Sequence, residues 1–242
     1  MRDGLIIRGR LFRNRGGKLP VIILSHGLGM NHEMCEDYAK LAAELGYAAL
    51  TFDFNGGSFV SESSGKSKDM TVLTEVEDLK TVISFAKQLP EVDPSDITLL
   101  GCSQGGVVSA VTAAKLGSKI IKRLILLYPG FCMAEHAREG RMITACFDPE
   151  NIPDVLQSEP MELSRDFARC VINWTLKDMT GGYNGKVLYL QGTDDEIVNV
   201  RYAREAVKEY PDAEYHEIAG GGHVFHGKYD EEAKEYIRGF LV

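Results

Sequence analysis

One stretch limits the fold more than any other. Ile97-Thr98-Leu99-Leu100 runs without a charge into Gly101-Cys102-Ser103-Gln104-Gly105, and the small-residue segment Val107-Val108-Ser109-Ala110-Val111 follows. A buried strand thus ends in Gly-x-Ser-x-Gly and feeds a helix. Such a reversal needs glycine on both sides of the serine, because a side chain at Gly101 or Gly105 would cross the tight turn. The serine at its apex stands clear of the sheet.

The rest of the chain has a matching rhythm. Gly4–Phe12 alternates apolar and polar residues and predicts an edge strand. Pro20–Ser25 is continuously apolar, as a strand buried on both faces of a parallel sheet must be, and His26-Gly27-Leu28-Gly29 follows it. Helical spacing over Glu33–Leu45 ends at Gly46; Tyr47–Phe54 predicts the next strand, closing on Asn55-Gly56-Gly57. Thr71–Leu89 carries Val72, Val76, Leu79, Val82, Ile83 and Ala86 on one face, with Glu75 and Asp78 near its positive N-terminal end. Strands at Arg123–Tyr128, Lys186–Gln191 and Glu214–Ile218 and helices at Val200–Tyr210 and Tyr229–Leu241 complete the pattern. Strands alternating with helices predict one α/β domain, a mostly parallel sheet with helices on both faces. Its ligand site should lie at the carboxyl ends of the strands.

Two stretches break the rhythm. Ser58–Asp69 is rich in serine and reads as a mobile surface loop. Residues 131–183 mix prolines and aromatics without period and are too long for an ordinary connection, so they read as an insertion, or cap, over the strand ends. Aromatics here (Phe131, Phe147, Trp174) and His136 are the candidate substrate contacts. Apolar residues exposed on the cap would serve substrate binding or a homodimer contact equally well.

The net charge of −8 argues against nucleic acid or an anionic membrane as partner. No apolar run reaches the length of a membrane span, and the N-terminal stretch lacks a signal-peptide core, so a cytoplasmic protein is expected. The five cysteines lack metal-type spacing and read as free thiols, Cys102 as a small buried side chain.

A serine hydroxyl is a weak nucleophile until an imidazole takes its proton and a carboxylate orients that imidazole. Ser103, then Asp194 or Asp195 in Gly192-Thr193-Asp194-Asp195-Glu196-Ile197-Val198, then His223 after Gly220-Gly221-Gly222 supply all three, each in a loop after a strand. A tetrahedral oxyanion needs two fixed N–H donors; the backbones of Gln104, just after the serine, and Leu28, in the loop after the Pro20–Ser25 strand, are placed to give them. His26 shapes that loop, and His32, His136 and His216 read as surface or supporting residues. His226 stands three residues after His223, but no further ligand cluster accompanies them, so no metal or other cofactor is expected.

With these residues in hand, the chain resembles the α/β-hydrolase superfamily, and within it the bacterial cinnamoyl/feruloyl esterases. The similar stretches are Arg2–Gly9, Leu24-Ser25-His26-Gly27, Phe52-Asp53-Phe54-Asn55-Gly56, Asp69-Met70-Thr71-Val72-Leu73, Gln191–Asp195 and Phe147–Pro153. The resemblance implies a serine carboxylesterase of small ester substrates, with Ser103, Asp195 and His223 as the triad and Asp194 supporting its turn. Relatives carry an outer strand; with the first strand here expected to begin close to Met1, the sheet is expected to lack it. Two positions depart from the family: Gly57-Ser58 stands where His-Gly is usual, and His136 beside Glu135 stands where the cap offers an acid to a phenolic hydroxyl. The same machinery also fits a thioester, a monoacylglycerol or a peptide, the last needing an acid such as Glu135 or Glu139. A non-catalytic ligand-binding member of the fold would be expected to lack a triad residue.

Overall fold

A computed structural model describes residues 2–242. Its centre is a seven-stranded sheet of order β1-β3-β2-β4-β5-β10-β11. In chain order the first elements are β1 (Gly9–Phe12), β2 (Leu19–Ser25), α1 (Glu36–Glu44), β3 (Ala48–Phe52), α2 (Val72–Ala86), β4 (Val92–Cys102), α3 (Gln104–Leu116) and β5 (Ile121–Leu127). Then come α4 (Met133–Arg138), β6 (Arg141–Met142), β7 (Ala145–Cys146), β8 (Val155–Leu156), β9 (Leu163–Ser164), α5 (Arg165–Val171) and α6 (Leu176–Thr180). The chain closes with β10 (Lys186–Gly192), α7 (Val200–Ala206), β11 (Ala213–Ile218) and α8 (Lys228–Leu241). Among the described strands of this sheet only β1 runs antiparallel, pairing Gly9 with Phe52 and Phe12 with Ala49.

Side chains alternate across a strand, so each strand of the sheet feeds two cores. Ile23, Leu99, Leu124, Leu126 and Tyr189 pack under α2, α3 and α7; Ile22, Leu24, Leu100, Ile125, Leu127 and Leu188 pack under α1 and α8. Burial on both faces explains why β2 and the second halves of β4 (from Ile97) and β5 (from Leu124) read as runs without charge. The long connection between β5 and β10 folds as three short helices and two small antiparallel ribbons, β6 with β7 and β8 with β9.

Two local expectations need correction. The first strand begins only at Gly9; Arg2 and Leu5 exchange backbone hydrogen bonds in a tight turn instead. The serine-rich stretch after β3 is a tethered strap. Ser64 N donates to the Ile6 carbonyl at 2.9 Å, Arg8 N donates to Ser63 Oγ at 2.8 Å, and Glu62 N donates to Asp53 Oδ2 at 2.6 Å. Its hydroxyls and amides thus supply partners to the backbone between Ile6 and Arg8, which no strand covers. Glu75 and Asp78, at the N-terminal end of α2 as expected, are buried. Asp78 binds Arg2 Nε at 2.5 Å and the Asn55 backbone N–H at 2.9 Å, and Glu75 binds Gln104.

No helix among the described residues is long and apolar enough to cross a membrane. All five cysteines carry free thiols.

Candidate active site

Ser103 lies between the end of β4 and the start of α3, with φ +52° and ψ −119°. This left-handed geometry is strained for a residue with a Cβ and holds only because the surroundings enforce it. Ser103 N donates to the Leu127 carbonyl at 3.0 Å, and its own carbonyl receives the N–H groups of Gly106 at 2.9 Å and Gly130 at 3.0 Å. A Cβ on Gly101 would meet the backbone of Gly105, and one on Gly105 would meet the carbonyls of Ser25 and His26. The sequence demand for glycine on both sides of the serine is therefore a backbone-contact demand.

His223 reaches Ser103 from the loop after β11. Its Nε2 lies 2.9 Å from Ser103 Oγ, and its Nδ1 lies 2.9 Å from Asp195 Oδ2. With Nδ1–H donating to the carboxylate, Nε2 keeps its lone pair toward the hydroxyl. The two loops are clipped together: Asp194 N donates to the Gly221 carbonyl at 2.9 Å, and Gly220 N donates to Thr193 Oγ1 at 2.8 Å. Tyr128 packs edge-on against the imidazole, ring centres 5.0 Å apart.

Of the two adjacent aspartates, Asp195 is the one turned inward. It is buried and accepts four hydrogen bonds: Oδ2 from His223 and from Gln191 Nε2 at 2.8 Å, Oδ1 from the N–H groups of Ile197 at 2.9 Å and Val198 at 2.7 Å. Turn support, expected of Asp194, thus falls to the second oxygen of Asp195. Among the described residues the exposed Asp194 carboxylate takes only the Thr193 hydroxyl, at 2.8 Å.

The loop after β2 presses against the serine; a Cβ on Gly27 would stand 3.3 Å from Ser103 Cβ. Among the described residues, neither the Leu28 nor the Gln104 backbone N–H is taken by a protein acceptor. His26 fixes this loop. Its Nδ1 donates to the Gly27 carbonyl at 2.8 Å, and its Nε2 accepts the Phe54 N–H at 3.1 Å. That pattern requires a neutral ring, and burial pushes His26 down to about 4. His32, expected at the surface or in a supporting place, takes the supporting one: it is buried with Nδ1 2.8 Å from Asp53 Oδ1, and ties the same loop to the end of β3.

A cavity of about 250 Å³ opens from Ser103 beneath the β5–β10 connection. Leu28, Ser103, Gln104 and His136 line it; Met133, Met142, Ile143, Phe167, Ile197 and Val198 give most of its apolar wall, and Arg141 and Glu196 bring charge to it. Burial, with the nearby Arg141 charge, holds the His136 imidazole below its usual range. The three expected aromatics are not on this wall. Phe131 is buried against Tyr189 with ring centres 6.1 Å apart, and Phe147 and Trp174 pack on the core from outside. Ring size alone points to them, and large rings go to filling the core. Ile197 and Val198 had a signal that could have found them, since they stand two and three residues after Asp195. Glu135 is engaged by Arg201 and by the Tyr202 hydroxyl, and Glu139 by Arg141, so neither stands free to hold an amine.

A larger cavity of about 440 Å³ lies at the sheet edge between β1 and α2, by Arg8, Arg10 and Phe85, and touches none of these residues. Among the described residues no group of three or more His, Cys, Asp or Glu side chains could hold a metal ion.

Comparison with known proteins gives this geometry a context. A family model described as the alpha/beta hydrolase fold matches residues 20–144. The structure of Est1E from Butyrivibrio proteoclasticus with ferulic acid bound superposes with a TM-score of 0.91 at 30% identity, covering 99% of this chain and 95% of that one. The quorum-quenching protein AidA of Acinetobacter baumannii is 32% identical over 97 residues, which are 39% of this chain and 31% of AidA. The thiohydrolase aneE of Aspergillus aculeatus is 27% identical over 156 residues, 64% of this chain and 43% of aneE. The matches to these two curated relatives thus span less than half of each relative's length.

Proposed function

The chain belongs to the α/β-hydrolase fold family, and on that premise we propose that it is a serine carboxylic ester hydrolase working through Ser103, His223 and Asp195. The observation that carries this reading is the unbroken hydrogen-bonded line from Asp195 through His223 to Ser103.

Ser103 Oγ attacks the ester carbonyl carbon while His223 Nε2 takes its proton. The carbonyl oxygen becomes an oxyanion and receives the N–H groups of Leu28 and Gln104. Asp195 keeps Nδ1 protonated and offsets the imidazolium charge. His223 then gives the proton to the alkoxide oxygen, the alcohol departs, and the acyl group stays on Ser103. Water repeats the cycle in place of the hydroxyl and releases the acid. Every proton and electron pair is carried by the ester, the water and these side chains.

Residues 131–183 act as the cap whose walls select the acyl group. The cavity under it is mostly apolar and suits a small acyl group, cinnamoyl and feruloyl among them; the ferulic acid bound to Est1E supports that class. The similarity to a thiohydrolase supports a second reading, the same cycle on a thioester.

The test is hydrolysis of methyl ferulate beside a short aliphatic ester, with Ser103→Ala as blank, and labelling of Ser103 by a fluorophosphonate. Turnover of both esters that disappears in Ser103→Ala is the expected result. Aliphatic turnover alone removes the aromatic class. An unlabelled Ser103 and silence on both esters and a thioester sink the reading.

A further inference from the structure

Glu75 takes no part in the cycle above, yet it is buried to 1% exposure directly beneath it. It sits in the first turn of α2, on the helix packed beside α3, and its Oε2 accepts the side-chain amide of Gln104 at 2.7 Å. Gln104 is itself 5% exposed, and the only other contact of its Nε2 among the described residues is the weak one to Met70 Sδ at 3.9 Å. The same residue gives its backbone N–H to the proposed oxyanion site.

We propose that Glu75 is a positioning residue for ester cleavage: by clamping the Gln104 side chain it fixes the peptide whose N–H receives the oxyanion. The inference rests on the hydrolase reading of Ser103.

Gln104 opens α3, so its backbone N–H has no intrahelical partner; the other end of the same peptide, the Ser103 carbonyl, is held by Gly106 and Gly130, and the clamped Gln104 side chain is its second anchor. Turning that peptide would pull the amide from Glu75 and leave two buried polar groups unpaired, which is expensive in an apolar surround. A carboxyl could do harm here, because a negative charge under the oxyanion site would oppose the charge that develops there. Burial pushes Glu75 up to about 8, so at neutral pH it is an uncharged acid that accepts the amide without adding charge. The groups around it give no countercharge. Asp78 raises it further from the same helix; His26, whose ring edge borders Gly57 as the Glu75 carboxyl does, is held neutral by burial; and the half-buried thiol of Cys170 lies near it on α5.

The test compares Glu75→Leu, Glu75→Gln and Gln104→Leu with the wild type for kcat, KM and inhibition by an aryl trifluoromethyl ketone, which Ser103 converts to a tetrahedral adduct. Glu75→Leu should lower kcat about ten- to hundredfold, a fraction of the loss of a whole oxyanion donor, with KM changed less than about threefold. The ketone should bind more weakly by the same factor. Glu75→Gln keeps an acceptor for Nε2 and should restore kcat to within a few fold. Gln104→Leu keeps the backbone N–H and removes the clamp; it should repeat the Glu75→Leu loss, and it carries the test if Glu75→Leu does not fold. A folded Glu75→Leu or Gln104→Leu with wild-type kcat overturns the proposal, as does a loss confined to KM or a Glu75→Gln as slow as Glu75→Leu. Fluorophosphonate labelling of the wild type separates the cases: a labelled, active enzyme indifferent to Glu75 removes this inference alone, whereas an unlabelled wild type removes the hydrolase reading.

Discussion

Gln191 Nε2 donates to Asp195 Oδ2 at 2.8 Å, the same oxygen that receives His223. Gln191 is fully buried on β10 and also donates to the Val198 carbonyl at 3.1 Å. The strand therefore reaches the proposed catalytic carboxylate through one amide, and the carboxylate cannot swing without breaking both bonds. Replacing the amide by a similar apolar shape, Gln191→Leu, should lower kcat about tenfold and cost roughly 1–3 kcal/mol, because Asp195 loses one of four donors while the others keep it in place. Steady-state kinetics and urea unfolding check this; an unchanged kcat would show that the remaining three donors suffice.

Asp195→Asn should lower kcat by about three to four orders of magnitude, since an amide no longer enforces the Nδ1–H tautomer of His223. Asp194→Asn should stay within about twofold, because its carboxylate is exposed and, among the described residues, meets only Thr193. The pair of variants assayed on one ester decides which aspartate serves. A large loss in Asp194→Asn would reverse the assignment.

Gly105→Ala would drive a Cβ into the carbonyls of Ser25 and His26, neither of which can move without shifting β2. It should destabilise the fold by about 3 kcal/mol or prevent folding altogether. Thermal unfolding gives the answer, and a wild-type Tm would mean that the elbow relaxes more freely than its contacts imply.

His26 is held near 4 in the fold by burial, against an ordinary value of 6.5. Between these values the unfolded chain binds a proton that the folded chain refuses. This group's contribution to stability is therefore complete above 6.5 and is lost as the pH falls toward 4, at a slope on the order of 1 kcal/mol per pH unit. His26→Gln, which retains an acceptor for the Phe54 N–H, should lack this acid slope. Urea midpoints at pH 7.5 and 5 measure it, and identical slopes in the two proteins would contradict the neutral buried ring.

Glu75 carries the opposite sign. Its folded value of about 8 lies above the ordinary 4.5, so the folded chain holds the extra proton. Its contribution is complete below 4.5 and is lost as the pH rises through about 8, again on the order of 1 kcal/mol per pH unit at most. Relative to wild type, Glu75→Gln should gain stability as the pH is raised from 5.5 to 8.5. A constant difference between the two unfolding curves would show that Glu75 is already charged in the fold.

Local chemistry alone makes much of this protein legible. The uncharged runs of β2 and of the second halves of β4 and β5 mark strands buried on both faces, and glycines at 101 and 105 flank a turn too tight for side chains. Those constraints act between residues adjacent along the chain, so composition and order carry them. The choice between Asp194 and Asp195 is of another kind. Both can sit in the same turn, and which carboxylate faces inward depends on where β11 brings Gly221 and His223.

The same division separates the remaining elements. The serine-rich strap reads as free loop because Ile6 and Arg8, its partners in the N-terminal segment, lie 58 and 55 residues from Ser64 and Ser63 in sequence. Phe131, Phe147 and Trp174 read as cavity wall and are not, because hydrophobic character does not say which surface a ring will cover. Glu75 reads as an ordinary helix-start acid and becomes a buried acceptor only when α2 is laid against α3. Periodicity and turn chemistry are local, and the sequence determined the strands, the helices and the loops that carry Ser103 and His223. Side-chain facing, burial and pairing are sums over contacts between distant segments, and only the packed tertiary structure decided them.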